Sequence, residues 1–327
     1  MVSAARSPDA PGSPRRRFTE HFAFRLESLV VLAVLIAAMS ILSPFFLSVS
    51  NFLNILLATS VIGVLAIGAT FVISSAGIDL SVGSVLAFAS IVGCLSMTIM
   101  PWPVGIVICI LAGMLAGSIN GFLIARAGIP AFIVTLGMLG VARGAALVLT
   151  NGLPIYGLPD PVIYIGQGRP FGIPAPVMVF ALTAIVAHVA LAHTRFGRHA
   201  QIIGDNEGAA RAMGIRVDRL RVTLYVLSGG LAGLAGLLFS ARVNAGDPTA
   251  GLNYELTAIT ATIIGGTNLF GGRGSVSGTV IGALIMGVLQ NGLNLLAVPS
   301  FYQQMAIGAI LVLAVWIDHM NRARGRA

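Results

Sequence analysis

Apolar runs long enough to cross a bilayer follow one another along nearly the whole chain. A membrane helix needs about 20 consecutive apolar residues. Such runs lie near 29–48, 52–74, 80–99, 103–125, 131–150, 175–194, 221–241, 253–266, 276–297 and 301–318. The run 253–266 is too short for an ordinary straight crossing. Of the 327 residues, 57% are hydrophobic and only 9% are charged. A soluble globule cannot hide that much apolar surface, because its outside must be wetted. The sequence therefore specifies an all-α, polytopic membrane protein with about ten spans. Disorder, a nucleic-acid-binding domain and a secreted disulfide scaffold are excluded on composition. Cys94 and Cys109 both sit in apolar runs and read as packing residues.

The 19 basic residues are all arginine; there is no lysine. A Walker A loop places a lysine on nucleotide phosphates. The chain is therefore no P-loop ATPase, and any ATP-driven step must be powered by another polypeptide. Kinase and Schiff-base chemistry are excluded for the same reason. Arginine placement also orients the spans. With the N-terminus inside, the cytoplasmic segments are 1–28, 75–79, 126–130, 195–220, 267–275 and 319–327. Counting Arg221 at a boundary, they hold 16 arginines, whereas the external loops hold Arg169 and Arg242. This is a positive-inside pattern that places both termini in the cytoplasm. The high pI thus reflects topology and anionic headgroups rather than nucleic acid.

The expected organisation is a disordered basic tail over 1–28, a membrane domain over 29–318 and a short tail over 319–327. Arg15-Arg16-Arg17-Phe18 reads as a basic anchor before the first span more simply than as a twin-arginine signal. Residues 151–174 form the longest external loop. It carries prolines 154, 159, 161, 170 and 174 beside Tyr156, Asp160, Tyr164, Gln167 and Arg169. It reads equally as a docking surface or a passive connector. Residues 195–220 form the longest internal connection. Within it, Asn206 to Met213 predicts a short helix stopped by Gly214. Such a helix suits either a lipid surface or a docking protein.

A weak internal repeat joins two breaks, 77–86 and 272–281, each Gly- and Ser-rich and each followed by an apolar helix. Broken helices in matching positions point to a transport pathway. Asp79 is either an N-cap for the third span or a polar group at the base of a solute path. Arg143 lies inside a span, where it faces a cavity or a partner or snorkels outward to the headgroups; a structural role is the better reading. Polar amides recur at Asn120, Asn268, Gln290, Asn291 and Asn294. They suit a neutral polyhydroxy solute, and equally interhelical hydrogen bonds. Asn291 and Asn294 are one turn apart and share a face. The pathway candidates are Asp79, Ser81, Asn268, Gln290, Asn291 and Asn294. Glycines repeat every four residues at Gly113/Gly117/Gly121, Gly140/Gly144, Gly229/Gly233 and Gly278/Gly282, which predicts close helix packing. His21, His188, His193, His199 and His319 lack zinc-helix spacing. No cofactor, metal site or catalytic constellation is expected.

Four strings carry a resemblance: 77–84 (Gly77-Ile78-Asp79-Leu80-Ser81-Val82-Gly83-Ser84), 130–137, 265–274 and Gln290-Asn291-Gly292-Leu293-Asn294. Over roughly residues 45–320 the chain resembles the permease subunit of bacterial ABC sugar importers of the ribose/xylose/galactose type. Glu207-Gly208-Ala209-Ala210-Arg211-Ala212-Met213-Gly214 resembles the importer coupling motif, with Gly208 in place of its first alanine. The resemblance assigns Glu207, Ala209, Ala210 and Gly214 to coupling. It implies an ATPase carrying two cassettes in one chain, a periplasmic sugar-binding protein at the 151–174 face, and a homodimer of permeases in the bacterial inner membrane. It implies translocation of a monosaccharide by alternating access, with no enzyme activity in this chain. The alternatives are an importer permease for branched-chain amino acids or nucleosides, and an ATP-independent carrier. Few buried acids in the spans argue against ion or proton coupling.

Overall fold

The computed structural model describes residues 14–326, with side chains described for 27–316 and for Met320. Helices α1 (Pro14–Leu42), α2 (Val49–Ser74), α3 (Val82–Met97), α4 (Trp102–Ala125) and α5 (Ala131–Thr150) come first. The 151–174 segment follows with a two-residue strand β1 (Ile155–Tyr156), helix α6 (Asp160–Gln167) and a 3-10 turn (Pro170–Gly172). Then come α7 (Ala175–His193), α8 (Arg195–Asp205), α9 (Glu207–Ala212) and α10 (Val217–Val243). Strand β2 (Ala245–Gly246), α11 (Tyr254–Ile264), α12 (Val276–Leu295) and α13 (Ser300–Arg326) complete the chain. The two short strands pair antiparallel, Ile155 opposite Gly246.

Proline marks where helices begin. Pro101, Pro130, Pro159 and Pro174 stand at the caps of α4, α5, α6 and α7. There the missing N–H costs nothing, because the first turn has no carbonyl to receive it. Serine starts others: Ser48 and Ser275 accept from the amides of Asn51 and Gly278.

Among the described residues, six helices are long and apolar enough to cross a membrane: α2, α4, α5, α7, α10 and α12. Shorter apolar helices occupy Glu27–Leu42, Val82–Met97, Tyr254–Ile264 and Ser300–Trp316. Each expected apolar run is therefore helical. The short run 253–266 has an 11-residue helix, about 16 Å long and half of a hydrocarbon core. Residues 1–13 of the expected tail lie outside the described residues. From Pro14 onward the tail is helical and continuous with the first apolar run. No Gly or Pro interrupts 15–42, so nothing in the sequence stops a helix there.

Helix α2 is the centre. In its apolar window 83% of residues are buried, against 22% in α5 and in α7. Helices α10, α12, α11 and α7 pack around α2. α4 lies along α10, and α3 along both α4 and α10. α5 lies on α3, α1 on α12 and α13 on α11. The α4–α10 crossing is close because it is made of glycine. A Cβ on Gly113 would strike the Gly229 carbonyl, and one on Gly117 the Tyr225 carbonyl. Gly278 and Gly282 meet Gly265 and Ala261 in the same way. Gly140 and Gly144 differ: among the described residues nothing lies within 4 Å of a Cβ placed there. Their spacing has no partner inside the chain, since α5 turns that face outward. Cys94 and Cys109 are buried and free, as packing residues.

Candidate functional site

The connection 195–220 folds into a compact surface unit. The Thr194 side chain accepts from the Gly197 amide and starts α8. Asn206 ends α8 and caps α9, its Oδ1 accepting from the Ala209 amide at 2.9 Å. α9 ends by two bonds, from the Gly214 amide to the Arg211 carbonyl (3.0 Å) and from the Ile215 amide to the Ala210 carbonyl (3.1 Å). That pattern needs a left-handed residue after the cap, and Gly214 supplies it at φ 78°. Ala210 is buried against Ile203 and Val217.

Ion pairs pin α9 to the start of α10. Glu207 Oε1 accepts from Arg211 at 2.9 Å and Oε2 from Arg221 at 2.7 Å. Arg211 also donates to Asp218 at 2.6 Å. The Arg221 hydrogen bond, assisted by Arg211, holds the Glu207 carboxyl below its ordinary value. The Arg211 hydrogen bond does the same for Asp218. The four motif residues thus divide by role. Glu207 and Ala210 fix the short helix in place, while Ala209 and Gly214 are exposed. Met213, 62% exposed, stands beside them and was not singled out in the sequence. Arg211, Asp218 and Arg221 were also missed. The Glu207–Arg211 spacing of four residues on a helix was the available signal.

The far end of α8 touches both chain breaks. The Ser74 carbonyl at the end of α2 accepts from the Gly272 amide at 3.1 Å. Gly271 lies against Ala76 and Gly204, and Gly272 against Asp205. One layer deeper, Thr70 and Thr279 share a hydrogen bond of 2.7 Å. The end of α2, just before the first member of the weak repeat, therefore meets the second member at one end of the bundle, next to the surface unit. Asn268 shapes the second break. Its amide donates to the Arg273 carbonyl, and its Oδ1 accepts from the Phe270 amide at 3.0 Å.

Asp79 is buried just past the first break. Its Oδ1 accepts from the Ser81 amide (3.0 Å) and hydroxyl (2.6 Å), and its Oδ2 from the Ser228 hydroxyl (2.9 Å). Ser81 in turn accepts from Asn120 at 2.9 Å. The carboxylate thereby links the start of α3 to α4 and α10. The Tyr225 hydroxyl donates to the adjoining Ile78 carbonyl at 3.1 Å. Asn291 lies far from this cluster. It exchanges two amide hydrogen bonds with Asn51 at the opposite end of α2, at 2.9 and 3.0 Å. Asn294 accepts from Gln303 of α13 at 2.8 Å. Gln290 is half-buried on the same helix. Asn51 and Ser74 are at the two ends of α2, about 35 Å apart by helical rise. The α12 amides and the Asp79 cluster, which includes Asn120, therefore form two groups.

Residues 51–315 match the family described as branched-chain amino acid transport system / permease component. The chain belongs to that family of permease components. It is 43% identical to the ribose import permease protein RbsC of Escherichia coli, over 95% of this chain and 98% of that one. It is 43% identical to the Bacillus subtilis ribose import permease, covering 91% and 94% of the two chains. It is 37% identical to the xylose transport system permease protein XylH of Haemophilus influenzae, covering 90% and 96%. No solved structure matches.

The permease also holds charges in its spans that deserve a partner. Arg143 on α5 donates from Nη1 to the Pro248 carbonyl at 2.6 Å, in agreement with a structural reading. Glu255, at the start of α11, was not singled out in the sequence. A Cβ on Gly83 would strike its Oε2, so glycine at 83 makes room for the carboxylate. The single acid within run 253–266 was the signal. The segment 151–174 is folded rather than slack. Gly166 packs on the Ala241–Arg242 backbone, and Gln167 donates to the Arg242 carbonyl at 3.0 Å. Tyr156, Tyr164 and Phe171 remain exposed on it.

Proposed function

We propose that this permease is the membrane-spanning subunit of an ATP-binding-cassette importer that carries a monosaccharide across the bacterial inner membrane. One observation carries the reading: 43% identity over 95% of the chain to a ribose import permease. The family description names branched-chain amino acids, but the near-full-length relatives above are permeases for ribose and xylose. A pentose is therefore the proposed cargo.

In this reading the chain crosses the membrane ten times, with both termini in the cytoplasm. The arginine bias supports it, as do the six long and four shorter apolar helices. α9 docks into a groove of an ATPase that carries two cassettes in one chain. Glu207 and Ala210 hold α9, and Ala209, Gly214 and Met213 make the contact. ATP is hydrolysed in that subunit, since this chain lacks the lysine of a P-loop. Nucleotide-driven displacement of α9 and α8 reaches α2 and the second break through Gly204, Ser74 and Gly271. A periplasmic sugar-binding protein docks on the exposed aromatics of 151–174. A second copy of the permease covers the open face of α5, and the solute passes between the copies. Asp79, Ser81, Asn268, Gln290, Asn291 and Asn294 act in this scheme through the helices they join. The permease differs in affinity for its partners in two states, and that difference drives the cycle.

The test is uptake in proteoliposomes holding the permease, its ATPase and its binding protein. Labelled ribose, xylose and leucine are supplied with and without ATP. ATP-dependent ribose uptake that leucine does not compete is expected. Leucine uptake would overturn the sugar assignment, and ribose uptake without ATP would overturn the importer.

A further inference from the structure

Beside α9 lies an open cleft of about 440 Å³ that borders the coupling contact at Met213 and Gly214 but whose arginines that contact does not use. It is lined by the exposed Arg216, Arg219, Met213 and Thr223, with the half-buried His199 and Leu220 as its floor. The cluster of arginines here is not uniform. Arg211 and Arg221 are neutralised by Glu207 and Asp218. Arg216 and Arg219 are exposed and have no acidic partner among the described residues. Arg126, at the end of α4, adds its field at the same place, where it helps to lower the Asp218 pKa. The cleft is thus a basic rim over a partly apolar floor.

Its depth in the membrane follows from helix length. α10 has 27 residues, which is about 40 Å against a hydrocarbon core of about 30 Å. The excess of about 10 Å at its arginine-rich end lies in the headgroup layer. Arg216, Arg219 and Thr223 fall on one face there. The same face continues as the half-buried Val226 and Gly230, and Gly230 borders Met114 of α4. Gly121 of α4 lies against Val222, so the 59% exposed Phe122 is level with the cleft.

We infer that this cleft is a binding site for the phosphodiester headgroup of an anionic phospholipid. Two unpaired guanidinium groups match the phosphate by charge and by hydrogen-bond geometry. Basic pockets between membrane helices at the cytoplasmic face hold such headgroups, and neutral lipids gain nothing from them. Free inorganic phosphate shares the charge but cannot use the apolar floor. The lining also gives the site a consequence. Met213, Gly214 and Ile215 are the end of α9, so a bound headgroup braces the coupling helix against α10. The inference is independent of which solute the permease carries.

The test is native mass spectrometry of the full chain, delipidated in mild detergent. Phosphatidylglycerol, phosphatidylcholine or inorganic phosphate is added back at low ionic strength. Wild type is expected to retain phosphatidylglycerol in preference to the other two. Removing both charges in Arg216→Gln/Arg219→Gln is expected to weaken that binding roughly 30-fold, at about fivefold per arginine. Arg195→Gln removes the same charge from the same side of the membrane but does not line the cleft, and is expected to bind as wild type. If the double variant cannot be purified, Arg219→Gln alone should still weaken binding several-fold. Equal retention of phosphatidylglycerol and phosphatidylcholine, or equal losses in Arg195→Gln and the cleft variants, would overturn the site. Displacement of phosphatidylglycerol by millimolar inorganic phosphate would also overturn it, because the apolar floor would then contribute nothing.

Discussion

Two glycines of the loop proposed for coupling are expected to respond oppositely to the same change. Gly214 is held at φ 78° by the two bonds that close α9. Alanine in that left-handed conformation costs about 1–2 kcal/mol. Gly208 lies inside α9, and a Cβ there would meet only Asn206 Oδ1, at 3.4 Å. Alanine at a helical position without a clash gains about 0.5–1 kcal/mol over glycine. It also restores the alanine that the coupling motif has there. Because about 1.4 kcal/mol is tenfold in an equilibrium, Gly214→Ala should raise local opening of α9 roughly 5- to 30-fold. Gly208→Ala should lower it roughly two- to fivefold. The double variant should fall between, since the two changes act on separate features. Hydrogen exchange of the peptide spanning 207–215 reads the opening. ATP hydrolysed per sugar imported reads the coupling, and it should rise for Gly214→Ala alone. Unchanged exchange in Gly214→Ala would refute the claim that this cap holds α9. Faster exchange with unchanged coupling would instead remove α9 from the coupling path.

Four further outcomes follow from the structure. Ser228→Ala removes the donor to Asp79 Oδ2, and a buried bond to a charged group contributes about 1.5–3 kcal/mol; thermal unfolding in detergent should shift down by several degrees. Gly117→Val drives a side chain into the Tyr225 carbonyl and should cost about 1–3 kcal/mol of overpacking. Gly140→Val, with open space around it, should leave the monomer unchanged but lower crosslinking between copies. Exchange protection of α9 should also depend on pH. Arg221 and Arg211 lower the Glu207 pKa from its ordinary 4.5. The stabilisation is fully present above that value and is lost as pH falls through the lowered one. Protection should therefore hold from neutral pH down to about pH 5 and decline below pH 4.5. Its size is modest because the pair is partly exposed and screened by salt.

Much of the architecture was legible because the relevant signals are local. Each apolar run became a helix, and prolines 101, 130, 159 and 174 marked four starts. Asn206 and Gly214 delimited α9 by residue type alone. The Gly113/Gly117/Gly121 stripe foretold a close crossing. The identical spacing of Gly140 and Gly144 did not find a partner in the chain, because a stripe states what a face tolerates and not what covers it. The site was legible in place and less so in detail. The motif singled out Glu207 and Gly214, and in the structure one pins α9 and the other closes it. Asp218 and Arg221 were not, since they join the ion pairs only when α10 folds back beside α9. Asp79 was weighed between helix cap and pathway. The structure gives its carboxylate a third task, tying α3 to α10 through Ser228.

The sequence alone determined the solvent in which this chain folds, its apolar segments and its excess of arginine on one side. Those are sums over neighbouring residues, and length and hydropathy fix them without reference to the rest of the chain. Tertiary structure alone decided which polar groups meet. Asn291 pairs with Asn51 across 240 positions, and Ser228 with Asp79 across 149. In an apolar interior each such group must find a partner. Which partner it finds depends on how helices cross, and here on the glycines that let α4 and α10 touch.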